Sequence, residues 1–333
     1  MITNGYAIFY LLLTGIASVI ALMGIIVSIT TGRKWHPEQS SEAQYALEKL
    51  VYLVITLVSL AFFIRIFLLP LWFWTLKSFI PSIPGAMCLT GVHMIDSPYS
   101  FLTTALKFII PMAYIFWLVV HRMDRRIPEQ PLMRIKLFLL IPIGLILLVE
   151  SFLDIHFLFA LRPIPVSCCT SLFDNPAPGT PEILTDSIWF WVVIFYVSTV
   201  ILTVLLFISR GKTQSAILPV LVLALSIFSI ASFLLALHTK ISPLFLRAPF
   251  HHCVFCLWER VPDAPVFTGL VIVGLWLAIV YASIWRFRKK EAARDISIAY
   301  SRRLITWSAG LLIAGMLVLA AHIVISQPWK EII

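Results

Sequence analysis

Eight mainly apolar stretches follow one another along the chain, near residues 5 to 29, 50 to 76, 100 to 120, 135 to 160, 187 to 209, 215 to 237, 266 to 285 and 304 to 326. An α-helix rises about 1.5 Å per residue, so about 20 such residues cross a hydrocarbon core about 30 Å thick. Runs such as LFLLIPIGLILLVESFL and GLVIVGLWLAIVYASIW do not alternate in polarity, which excludes the strands of a transmembrane barrel. With 60% apolar and 12% charged residues, a 333-residue chain has too little polar surface to cover a water-soluble globule. The expected fold class is all-α, a polytopic membrane helix bundle of about eight transmembrane helices. Its connections are short, so residues 1–333 read as a single integral membrane domain. Met1 to Tyr10 holds no Lys or Arg, so the first run is expected to stay as a helix rather than be removed as a signal peptide.

The net charge of +9 is explained by topology rather than by a nucleic-acid partner, because the basic residues sort by loop. The odd-numbered connections hold seventeen, among them Arg33, Lys34, Arg122, Arg125, Arg126, Arg210 and the run from Arg286 to Arg303. The even side holds six: Lys77, Arg162, Lys240, Arg247, Arg260 and Lys330. The positive-inside rule then places the odd connections in the cytoplasm, and both termini outside. Trp72, Trp74, Trp189, Trp191 and Trp258 fall near the outer boundary, where amphipathic rings settle. The expected location is a bacterial-type inner membrane, with the lipid bilayer as the chain's first partner.

This topology puts all five cysteines on the extracytoplasmic side: Cys88 in the second connection, Cys168 and Cys169 in the fourth, Cys253 and Cys256 in the sixth. That compartment is oxidising in bacteria and permits disulfides. Each loop repeats one pattern, with Pro84, Pro165 and Pro249 four residues before Cys88, Cys169 and Cys253. An Asp-x-Pro follows every time, as Asp96-Ser97-Pro98, Asp174-Asn175-Pro176 and Asp263-Ala264-Pro265. Proline suits a first helical turn and Asp can cap free backbone N–H groups, so Asp-x-Pro also reads as ordinary helix-start chemistry. The recurrence at about one helical hairpin suggests repeated hairpins whose cysteine loops gather at one face.

The segment His251-His252-Cys253-Val254-Phe255-Cys256-Leu257-Trp258-Glu259-Arg260 is the most informative. Two cysteines at this spacing can close a reducible disulfide, and nearby cations raise the thiolate fraction that exchanges. His251, His252 and Arg260 could supply that field. Cys-x-x-Cys followed by an aromatic turn, Glu and Arg resembles the signature of the DsbB-type membrane disulfide-forming quinone reductases. The resemblance implies that Cys253 and Cys256 pass electrons from a periplasmic thiol protein, or a membrane redox partner subunit, to a quinone beside Arg260. It further implies a second cysteine pair that accepts electrons first, for which Cys168 with Cys169, or one of them with Cys88, could stand in. It covers about ten residues, and the family's signature follows the first of four helices, whereas here it follows the sixth of eight.

Two other readings of the cysteines stay open. Cys88, Cys168, Cys169, Cys253 and Cys256 with His93, His251 and His252 form a donor set suited to a soft or borderline ion such as copper, zinc or mercury, bound or transported. Leu257 after Cys256 does not support c-type haem attachment. Alternatively the cysteines staple the outer loops of a structural membrane subunit.

Arg65, Lys107, Glu150, Asp154 and His156 fall inside apolar runs, where an unpaired charge costs at least about 2.5 to 3.5 kcal/mol. Glu150 and Asp154 are one helical turn apart, and a pair between Arg65 or Lys107 and Glu150 is expected. The functional reading is a proton route, or a quinone or ion pocket beneath the cysteine loops, with Glu150 and, from the loop itself, His252 as cofactor-binding candidates beside Arg260; the other is a structural ion pair. His322, in the last run, reads as a packed or snorkelling side chain. No phosphate-binding glycine loop or nucleophile triad appears, which argues against ATP-driven pumping by this chain alone.

Overall fold

A computed structural model describes residues 4–35, 42–128, 130–166, 189–210, 216–248 and 251–326. The described residues are helical with no strand, and eight of the helices are long and apolar enough to cross a membrane. Their outward faces carry large apolar side chains such as Leu12, Val19, Phe63, Phe152 and Val220, all more than half exposed. In water such continuous apolar faces would drive aggregation, and lipid covers them at no cost.

The chain forms two compact units, Met1–Cys168 and Cys169–Ile333. In the first, α1 (Gly5–Gly32) packs on α2 (Glu42–Phe79) and on α5 (Met133–Ala160). A short helix α3 (Leu89–His93) precedes α4 (Tyr99–Asp124), which closes the ring against α5 and α2. The apolar core runs through Val54, Val58, Ile110, Trp117, Leu140 and Leu147.

The second unit repeats that order. Helix α6 (Phe190–Ser209) packs on α7 (Ile217–Ala236), which continues through a π-helical turn, Leu237–Ile241, into α8 (Ser242–Leu246). After the short α9 (Val254–Arg260) come α10 (Ala264–Ile284), against α7, and α11 (Arg294–Ser326), against α10 and α6. The α10–α11 approach depends on Gly274, where an added Cβ would lie 2.9 Å from Leu312, so only a missing side chain lets the helices close.

Each unit is therefore a four-helix bundle with its cysteine loop between the second and third long helices. Cys88 and Cys253 each occupy the position before a short helix, and each short helix leads to an Asp-x-Pro at the next long one. The equivalent positions Cys88 and Cys253, Asp96 and Asp263, and His156 and His322 recur at a period of about 166 residues. The repeat carried by the fold is thus four helices long.

Two expectations change. Trp72 is fully buried, not a boundary anchor, because its ring covers the Lys107 ammonium at 4.2 Å. Neither Asp96 nor Asp263 caps a helix through its side chain. A histidine of the same unit's fourth long helix takes each carboxylate instead: His156 Nδ1 lies 3.1 Å from Asp96, and His322 Nδ1 meets Asp263.

Candidate functional site

Proline and glycine shape the first cysteine loop. After α2 the chain turns at Ile80–Ser82, then at Gly85, whose φ of +83° only glycine adopts easily. A Cβ there would stand 2.3 Å from the Val166 carbonyl oxygen, and the Val166 N–H donates to the Pro84 carbonyl at 3.0 Å. The chain leading to Cys168 is thereby pinned against the loop that leads to Cys88. Cys168 and Cys169 themselves lie outside the described residues.

Cys88 is 2% exposed, and His93 at the end of α3 is fully buried, stacked between Phe101 and Phe157. Burial, with a smaller contribution from Lys107, lowers the His93 imidazole to about 4, against an opposing pull from Cys88. Its Nε2 lies 3.4 Å from Thr104 Oγ1, which accepts from Trp72 Nε1 at 3.0 Å.

Below this loop lies the charged core. Lys107 Nζ donates to Glu150 Oε1 at 2.7 Å and to both Asp154 oxygens, at 2.7 and 2.8 Å. Arg65 donates Nη1 to Glu150 Oε2 at 2.5 Å and Nη2 to Ser151 at 2.7 Å. Tyr10 and Thr103 donate to Asp154 at 2.5 and 2.6 Å, and Lys107 also reaches the Tyr10 hydroxyl. Both expected pairs to Glu150 are present, and Asp154 joins them; His156 stands apart, half exposed on Asp96. Four helices thus contribute to one cluster, because charges buried this far from bulk water must be met by polar partners within the bundle. Glu150 is buried, with both carboxylate oxygens taken by Arg65 and Lys107 and space beside it for about one water. At the opposite end of the bundle Asp124 and Lys136 form a second fully buried pair at 2.6 Å.

In the second unit Cys253 and Cys256 are 1% and 6% exposed, with sulfur atoms within 4.8 Å of each other. Cys253 precedes the first residue of α9 and Cys256 is its third, so one helical turn brings the two together. Glu259 and Arg260 are exposed at the other end of that turn, beyond Phe255 and Trp258, which meet edge to face. His252 Nδ1 lies 2.8 Å from the His238 carbonyl and His238 Nδ1 lies 3.0 Å from the His252 carbonyl. A carbonyl only accepts, so both rings donate from Nδ1, and a neutral ring then carries its lone pair on Nε2. These reciprocal bonds tie the residue before Cys253 to the π-helical turn. His251 is half-buried beside them.

Sequence reasoning missed His238, Tyr10, Thr103 and the inward role of Trp72. His238 had one legible signal: it is a polar residue closing an apolar run, 14 positions before His252. Tyr10 and Thr103 had none, since a hydroxyl on an apolar helix names its partner only once the helices pack.

The site belongs to an all-α polytopic membrane protein with three described, buried cysteines that are candidate redox or metal-binding groups. No protein-family model matches the chain, and neither does any curated protein or any solved structure.

Proposed function

We propose that the chain is a membrane thiol-disulfide redox protein in which Cys253 and Cys256 exchange electrons with a thiol partner and a quinone. The observation that carries this reading is the buried side-by-side placement of the two sulfur atoms at the start of a short helix that ends in Arg260. In the forward step the two thiols give two electrons and two protons to the quinone, leaving an S–S bond and a quinol. A partner dithiol then restores the pair by exchange and is itself oxidised. The exposed guanidinium of Arg260 suits a quinone oxygen that gains negative charge, with Phe255 and Trp258 offering ring faces. Cys88, Cys168 and Cys169 are the candidates for relaying electrons to the pair.

The pinned rings of His238 and His252 favour a second reading. Histidines that hold a metal commonly donate their other ring nitrogen to a carbonyl, as both do here. Cys253 and Cys256 then offer two adjacent sulfur donors for a soft or borderline ion such as copper, zinc or mercury, next in the chain to the pinned ring of His252.

Purified protein separates the two. Quinone reduction by a dithiol that disappears in both Cys253→Ser and Cys256→Ser supports the redox reading, and full activity in both variants removes it. About one tightly bound metal per chain, lost in both Cys253→Ser and Cys256→Ser while dithiol-dependent quinone reduction is absent in the wild type, supports the second.

A further inference from the structure

The charged core of the first unit has features that a purely structural ion pair does not need. Arg65, Lys107, Glu150 and Asp154 are each 4% exposed or less, and their formal charges balance. Arg65, Lys107, Pro111 and Glu150 nonetheless border a cavity of about 10 Å³ open to the centre of a water molecule, roughly what one water requires. Arg65 Nε is buried and makes no hydrogen bond among the described residues, although the other two nitrogens of that guanidinium are engaged. Pro111 carries no N–H, which removes the helical donor from the Lys107 carbonyl. Residues bordering this water-sized space thus bring an unpaired buried donor, a carbonyl released from its helical bond and a carboxylate. Two cations at its wall disfavour a metal ion, and its size disfavours an organic ligand.

The carboxylates are also arranged to tolerate a change of charge. A single ammonium bridges Glu150 and Asp154, with Tyr10 and Thr103 donating to Asp154 alone. Glu150 is thus the one whose remaining partners, Arg65 and Lys107, keep a second carboxylate and the Ser151 hydroxyl to turn to.

We propose that Glu150 is a proton-exchange site within the membrane, served by water in this cavity. A hydronium gives its proton to a Glu150 oxygen, forming water and a neutral carboxylic acid, and the reverse step returns it. The inference does not depend on the cysteines or on the quinone.

Infrared difference spectra of the full chain in lipid nanodiscs test it. Acidification should produce a carboxylic C=O band that shifts in D2O, shifts again when glutamate is labelled with ¹³C, disappears in Glu150→Gln and survives in Asp154→Asn. Among the described glutamates only Glu150 is buried, and Glu150→Asp, which should move the band from the glutamate label to the aspartate label, keeps the test decisive where Glu150→Gln fails to fold. Absence of the band in wild type, its retention in Glu150→Gln, or a wild-type shift with labelled aspartate in place of glutamate would each overturn the proposal.

Discussion

Gly85 and Lys107 show how single positions hold the first unit. Gly85→Ala requires a side chain at positive φ with its Cβ 2.3 Å from a backbone oxygen, so the loop carrying Cys88 must shift or strain. The variant should lose about 1 to 3 kcal/mol of stability, read as a lowered thermal midpoint in detergent. Lys107→Met strands Glu150 and Asp154 with Arg65 as their only remaining cation, and a loss of about 3 to 5 kcal/mol is expected. A near-neutral outcome would mean that the cluster relaxes by taking up water. His93 sets a pH dependence: its ordinary value of 6.5 falls to about 4 in the fold, so between these values the unfolded chain binds more protons. Stability should be constant above that window and fall as pH drops through it, by about 1.4 kcal/mol per pH unit at most. Its neighbours work in opposite directions, Lys107 lowering and Cys88 raising the imidazole. His93→Phe, which keeps the stacking on Phe101 and Phe157, should remove this part of the acid sensitivity measured by thermal unfolding.

At the scale of elements, two short helices and two Asp-His contacts hold the cysteine loops. His322 meets Asp263 and packs its ring, tilted by 40°, on Phe245 with centroids 4.1 Å apart, joining α11 to the start of α10 and to α8 on either side of the Cys253 segment. Both partners are partly exposed, so the contact contributes under about 1 kcal/mol to global stability. Its effect should appear instead in local opening. Asp263→Asn is expected to raise the alkylation rate of Cys253 and Cys256 several-fold with little change in thermal midpoint. Equal rates in variant and wild type would show that the loop is held by α9 alone. The Asp-x-Pro motif was legible in the sequence, but its partner was not. Aspartate before a helix reads as a cap by default, and only packing reveals a histidine nearly 60 residues later at the same height. Trp72 misled for the same reason, since an aromatic near a span's end looks identical whether it meets lipid or a buried ammonium.

Across the whole molecule, eight apolar helices divide into two bundles with the same internal order and unequal chemistry. The first concentrates buried charge at Arg65, Lys107, Glu150 and Asp154, and the second fills its core with hydroxyls such as Ser198 bonded to Ser229 at 3.0 Å. The Cys-x-x-Cys pair belongs to the second bundle alone. If positive loops face the cytoplasm, then in a chain whose five native cysteines are replaced by serine a membrane-impermeant maleimide on intact cells should label Met87→Cys and fail to label Arg122→Cys or Arg210→Cys. Labelling of the latter two from outside would reverse the orientation. The number of spans, the all-helical class and a pairing of Glu150 with Arg65 or Lys107 were legible in the sequence, because hydrophobicity is local and so few charges inside the runs leave little choice of partner. The four-helix period, the Asp-His contacts, the pinned His238 and His252 rings and the water-sized space at Glu150 were decided only by tertiary structure. Each depends on side chains far apart in the chain reaching one depth and one face, which is settled when helices pack and not before.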